Sequence, residues 1–172
     1  DRLQGCSLAG LRGLTMQEIW DLYDRDGKRT GKTVLRGMPI PEGLYHLSVS
    51  VWILNSSGQY LLSQRHPDKQ YPLRWECTGG CVLAGEDSLQ GALREVNEEL
   101  GILLEPDGAK LLSHTRRDET QDFYDVWQFQ TDIELSGIRM QETEIVAVKL
   151  VDREELLAMY HYGELHPLLK IE

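Results

Sequence analysis

The stretch GGCVLAGEDSLQGALREVNEELGI, residues 79–102, joins a glycine-rich turn to a segment with helical periodicity. Leu89, Ala92, Leu93, Val96 and Leu100 fall at i, i+3, i+4, i+7 and i+11, which predicts one apolar helix face. Asp87 stands at the N-cap with Gln90 as its capping-box partner, and Gly101 supplies a left-handed position past the C-terminus. Glu95, Glu98 and Glu99 lie on the opposite side at i, i+3 and i+4, so their carboxylates share one patch. Like charges at these spacings repel, and near a helix C-terminus they also oppose the dipole. One answer to that cost is a solvated acidic face. The other is a hard divalent cation, Mg²⁺ or Mn²⁺, which prefers carboxylate oxygen. Gly79, Gly80 and Gly85 favour the cation, because they allow close backbone approach and bring a carbonyl beside it.

A chain of 172 residues with 41% apolar content suits one domain with a full-sized core. Against 18 Lys plus Arg stand 28 Asp plus Glu, a formal charge of −10 that argues against nucleic-acid and anionic-membrane partners. An anionic small molecule is not excluded, since a bound cation inverts the local field. The three cysteines, Cys6, Cys77 and Cys81, have no framework spacing and read as thiols of a reducing, cytoplasmic compartment. No segment is long and apolar enough to span a bilayer. Residues 1–15 read as an N-terminal extension or expression remnant, with Met16 as a candidate start and 16–172 as the single domain.

Residues 18–24 and 32–36 flank an Asp26-Gly27 turn and read as a hairpin-like ribbon, followed by a stiff connector with Pro39 and Pro41 up to residue 43. This 16–43 ribbon is a candidate homodimer contact; packing on its own sheet is the equal alternative. Residues 45–54 form the clearest strand. Leu47, Val49, Val51 and Ile53 alternate there with Ser48, Ser50, Trp52 and Leu54, so both faces are covered in part. Residues 65–75 read as an ordered loop whose Arg65, Lys69 and Arg74 suit phosphate oxygens, with a solvated basic loop as the alternative. Further strands are expected over 110–115, 122–131 and 145–151, with a polar, mobile loop over 136–143. A helix capped by Asp152 is expected to reach residue 160, and a short second helix to close the chain over 161–171. Such mixed strands with helices on both faces make an α/β/α sandwich.

Residues 80–102 resemble the Nudix box: a glycine, five residues, a glutamate, seven residues, then Arg-Glu-aliphatic-any-Glu-Glu-any-Gly-aliphatic. Gly80, Glu86, Arg94, Glu95, Val96, Glu98, Glu99, Gly101 and Ile102 fill it without a mismatch. The resemblance implies the sandwich fold with its mixed sheet. It also implies divalent metal held by Glu95, Glu98, Glu99 and the Gly80 carbonyl against a substrate diphosphate, and an Arg94 that orients the glutamates. Nudix enzymes often take a general base from outside the helix. Glu144 is the choice here, with Glu142 and Glu119 as further candidates.

The front end, DLYDRDGKRTG followed by YHLSVSVWILN, is similar to the isopentenyl diphosphate isomerase-like branch, and His46 falls where those enzymes carry a metal histidine. The isomerase cysteine before the box glycine is Gly79 here, the histidine after it is Cys81, and the other metal histidine is Pro39. Loss of the carbon-acid groups with the phosphate groups kept favours a hydrolase. The expected activity is cleavage of a diphosphate bond in a nucleoside diphosphate linked to another group, or a related small molecule. An isomerase-like enzyme and a non-catalytic nucleotide-binding module are the alternatives. His46 reads more simply as a packed strand residue, and His66, His114, His161 and His166 have no spacing that suggests a site.

Overall fold

A computed structural model describes residues 17–171, so the extension expected over 1–15 and the candidate start at residue 16 lie outside the described residues. The chain opens with an antiparallel ribbon, β1 (Ile19–Tyr23) and β2 (Arg29–Leu35). Asp24 makes its turn by accepting from the amides of Asp26 at 2.9 Å and Lys28 at 3.0 Å, which substitutes for lost backbone pairing. Then follow β3 (His46–Leu54), β4 (Tyr60–Arg65), β5 (Trp75–Glu76), β6 (Thr78–Cys81) and α1 (Ser88–Leu100). The rest is β7 (Lys110–Arg117), β8 (Asp122–Gln130), β9 (Ile145–Val151) and α2 (Arg153–His161).

Seven strands form one mixed sheet centred on β3, which runs parallel to β8 and antiparallel to β6. β7 continues the sheet beyond β8, while β5 and β9 flank β4. The alternation expected in β3 is realised. Leu47, Val49, Val51 and Ile53 meet Ala92, Val96 and Leu100 of α1 in one core. Trp52 faces the other way, into a second core with Tyr124, Val126, Leu156 and Met159, two of them from α2. A helix therefore covers each face, and the molecule is the expected α/β/α sandwich. No helix among the described residues is long and apolar enough to cross a membrane.

The ribbon packs on its own sheet. Tyr23 and Tyr45 exchange backbone hydrogen bonds of 2.8 and 2.9 Å, and the Trp20 ring stacks on His46 at 4.4 Å. His46 is thus a packed strand histidine, and burial lowers its pKa.

Two expectations fail. The closing helix over 161–171 is absent, because after α2 the backbone pairs with β5: Trp75 donates to the Glu164 carbonyl at 3.0 Å and His166 donates back at 2.8 Å. Leu165 is buried by this clip, and Pro167 has no amide with which to continue a helix. The loop over 136–143 is anchored, since the amides of Arg139 and Gln141 cap the Leu100 and Glu99 carbonyls at 2.9 Å each. Polar composition conceals that anchoring.

Leu156 is fully buried, whereas its neighbour Leu157 is 45% exposed. Leu156→Ala is expected to cost about 2–5 kcal/mol in thermal or denaturant unfolding. Leu157→Ala is expected to stay within ~0.5 kcal/mol. Equal losses at the two positions would show that α2 presents a different face to the sheet.

Candidate active site

The glycine turn is built by close packing from two directions. A side chain at Gly79 would run into the Val49 carbonyl, and one at Gly80 would overlap the Glu95 carboxylate. At Gly79 the backbone therefore excludes a β-carbon, at Gly80 a β-carbon would displace the Glu95 carboxylate, and that carboxylate sits directly on the turn. From outside, the ribbon braces the same turn: Ala84 donates to the Ile19 carbonyl at 2.7 Å and Gly85 to Asp21 Oδ2 at 2.8 Å. Arg29 also donates to the Glu86 carbonyl. The helix then starts at the expected capping box, with Gln90 N donating to Asp87 at 2.7 Å and Asp87 N to Gln90 at 2.9 Å.

Arg94 organises the acidic residues. Its Nε and Nη2 grip both oxygens of Glu86 at 2.8 and 3.0 Å, and Nη2 also reaches the Cys81 carbonyl at 2.9 Å. The remaining nitrogen, Nη1, donates to Glu95 at 3.1 Å and Glu98 at 3.2 Å. One planar fork thus ties the turn to two of the three helix glutamates, which a lysine's single ammonium cannot do. Glu86 is held from its other side by the Leu83 amide at 2.8 Å.

The three glutamates are not a solvated face. Only Glu98 is open, with half of its side chain exposed, whereas the Glu95 side chain is 12% exposed. Glu99 turns inward to accept from the Thr78 hydroxyl. Burial pushes Glu95 up to about 7 and Glu99 up to about 8, more than Arg94 and Thr78 respectively offset. Neighbouring carboxylates add to the rise, Glu98 acting on Glu95, and Glu95 and Glu76 on Glu99. Desolvated carboxylates short of positive charge, set against a glycine turn, suit a hard divalent ion. Among the described residues no three acidic, histidine or cysteine side chains already converge tightly enough to grip one. Arg94 holds Glu95 and Glu98, and Thr78 holds Glu99, so the donors are adjacent rather than converged.

Of the basic loop residues, two come to this region. Arg65 forks onto both oxygens of Glu76 at 2.9 and 3.1 Å, and Lys69 pairs with Glu144. Lys69 is also among the charges that act on Glu76 and Glu99. Arg74 is exposed and lies beside Gly163, apart from this group. Glu119 and Glu142 are exposed as well.

Three residues of this region, Glu76, Arg117 and His166, carry no signal in the sequence. Glu76 is carried in by the short β5 strand, within a segment that reads as loop. Burial raises its pKa despite Arg65. Arg117 crosses from the end of β7 to lie over the Tyr124 ring at 4.1 Å, and His166 arrives on the C-terminal clip. Only pairing in three dimensions brings them in, and no spacing announces it. Cys77 is buried, and burial raises its thiol pKa. The crowding at Gly79 leaves no room for the isomerase cysteine.

Residues 44–170 match the NUDIX domain family model. An uncharacterized Nudix hydrolase of Listeria monocytogenes is 38% identical over 87% of this chain and 89% of its own length. Nudix hydrolase 3 of Arabidopsis thaliana is 35% identical over 81% of this chain, which matches only 20% of that longer protein. Among solved structures, DR0079 of Deinococcus radiodurans superposes with a TM-score of 0.69 at 26% identity, covering 86% of this chain and 91% of its own. The chain belongs to the Nudix family, as a member of its hydrolase class.

The raised carboxylates give a signed prediction. Their folded pKa values, about 7 and 8, exceed the ordinary 4.5, so without metal they cost nothing at low pH. Stability is then lost as pH rises from about 4.5 to 8, where the unfolded chain ionises first. In chelator, Glu99→Gln should melt above the parent at pH 8, with the gap closing near pH 4.5. A gap independent of pH would show that Glu99 is not held protonated by burial.

Proposed function

We propose that this chain is a Mg²⁺- or Mn²⁺-dependent hydrolase that cleaves a diphosphate bond in a nucleoside diphosphate linked to another group, or a related small molecule. The observation that carries this reading is the Arg94 fork, which gathers Glu86, Glu95 and Glu98 onto the turn whose Gly80 lies against Glu95. Glu95, Glu98 and Glu99, with the Gly80 carbonyl, would hold the ion. When bound, it supplies charge neutralisation at the diphosphate and lowers the pKa of the attacking water.

The side chains divide the remaining work. Arg94 fixes Glu95 and Glu98, so that little reorganisation remains when charge develops. Arg65 and Lys69 donate to phosphate oxygens of the substrate. Arg74, exposed beside Gly163, contributes at the outer rim of the same loop. Lys69 is paired with Glu144 in the resting protein. A phosphate that takes up Lys69 frees Glu144 to accept the proton of the water, which couples substrate entry to base release. Retention of all three helix glutamates favours catalysis over a module that only binds nucleotides.

Purified chain should release phosphate-containing products from one class in a panel of nucleotide sugars, dinucleoside polyphosphates, ADP-ribose and nucleoside triphosphates, in Mg²⁺ or Mn²⁺ and not in chelator. Glu98→Gln should lower kcat strongly with an unchanged melting temperature. Glu144→Gln should lower kcat by roughly 10²–10⁴ with little change in KM. Turnover by Glu98→Gln at the parent rate would remove Glu98 from the metal set, and an unchanged kcat in Glu144→Gln would exclude it as the base.

A further inference from the structure

We propose that Asp21 and Arg29 of the N-terminal ribbon are positioning residues for the metal centre: they clamp residues 84–86 from outside and so fix the Glu86 carboxylate that Arg94 grips. This rests on reading the Arg94-organised carboxylates as that centre. The ribbon precedes residue 44, where the matched span begins, so the clamp comes from chain that the family model does not include.

Three consecutive residues of the turn each commit a backbone group to the ribbon. Ala84 N–H donates to the Ile19 carbonyl at 2.7 Å, Gly85 N–H donates to Asp21 Oδ2 at 2.8 Å, and the Glu86 carbonyl accepts from Arg29 Nη2 at 2.5 Å. Asp21 Oδ2 and Arg29 Nε lie 3.8 Å apart, so the carboxylate and guanidinium that hold neighbouring residues also hold each other. The irregular register of the ribbon creates this pair. Asp21 stands opposite Thr33, and a regular ladder would then set Gly31 opposite Tyr23; the shift sets Arg29 there instead. Arg29 is thereby drawn toward Asp21, the local re-aiming that bulges provide. Thr30 secures the irregularity by donating to the Leu22 carbonyl at 2.8 Å.

The turn needs a hold from outside. Gly85 takes a φ of +85°, and open space surrounds the position a β-carbon would occupy, so packing does not restrain it. The next residue must nonetheless present its carboxylate in one place. Glu86 Oε1 accepts from Leu83 N–H at 2.8 Å, and both oxygens take the Arg94 fork. Arg94 in turn reaches Glu95 and Glu98. A continuous path thus runs from Asp21 and Arg29 through Gly85 and Glu86 to Arg94 and two helix glutamates. If Glu86 moved, Arg94 would be released to close on Glu95 and Glu98 and compete with the cation for them.

The test uses the full chain with Asp21→Ala, Asp21→Asn and Arg29→Ala, and with Thr30→Val as a control that weakens the ribbon without touching the turn. One readout is residue-resolved amide hydrogen exchange of the metal-free protein; the other is Mn²⁺ affinity from the paramagnetic resonance of the free ion. Leu83 is the reporting amide, because its acceptor is the Glu86 carboxylate and not the ribbon. Asp21→Ala and Arg29→Ala should each speed exchange at Leu83 and weaken Mn²⁺ binding roughly 10–100-fold. Asp21→Asn, which keeps a carbonyl acceptor for Gly85, should recover much of both, and Thr30→Val should change neither. The Arg29 side chain is half-exposed, so its replacement leaves a folded protein to measure. Where the parent binds Mn²⁺, unchanged affinity in Arg29→Ala overturns the proposal, as does an equal loss in Thr30→Val. A parent that binds no Mn²⁺ overturns the metal reading instead, and Leu83 exchange then decides the clamp alone: faster exchange in Arg29→Ala upholds it, and unchanged exchange overturns it.

Discussion

The structure turns on one cation. Arg94 is the only positive charge of its helix, and it satisfies Glu86, Glu95, Glu98 and the Cys81 carbonyl together. Without it the turn would lose the bond that closes it on the helix, and two carboxylates at i and i+3 would face each other uncompensated. The local fold and the local chemistry thus depend on the same guanidinium. Glycine at residue 80 suits this arrangement, because a side chain there would displace the carboxylate that Arg94 positions.

That arrangement leaves the resting protein with an imbalance of charge. Arg94 compensates Glu95 and Glu98, but Glu99 has only the Thr78 hydroxyl and the more distant Lys69. Buried carboxylates of this kind destabilise the metal-free fold at neutral pH, a cost that proteins accept where a cation is to be bound. Lys69 is itself paired with Glu144, and Arg65 is forked onto both oxygens of Glu76.

Most of the scaffold is legible in the sequence. The i, i+3, i+4 pattern gives α1 its buried face, Asp87 and Gln90 mark its start, and strict alternation in 46–54 assigns both faces of the central strand. These signals are local, and local signals survive in sequence. The acidic patch is legible as spacing, but its burial is not, because exposure of Glu95 and Glu99 depends on the glycine turn folding over them. The clip from residue 164 to 166 reads as helix, since its pairing partner, Trp75, lies about ninety residues away in sequence. The same long-range pairing hides His166, and the short β5 hides Glu76 inside a segment that reads as loop. Neither residue has a neighbour in sequence that announces where it packs.

The central claim is that the Arg94-organised carboxylates form a divalent-metal centre. Its most direct test is anomalous diffraction at the manganese edge from crystals grown with Mn²⁺. The account predicts an anomalous peak bounded by Glu95, Glu98, Glu99 and the Gly80 carbonyl, with Arg94 still forked onto Glu86. A peak elsewhere, or a centre that forms only after Arg94 has left Glu86, would contradict it.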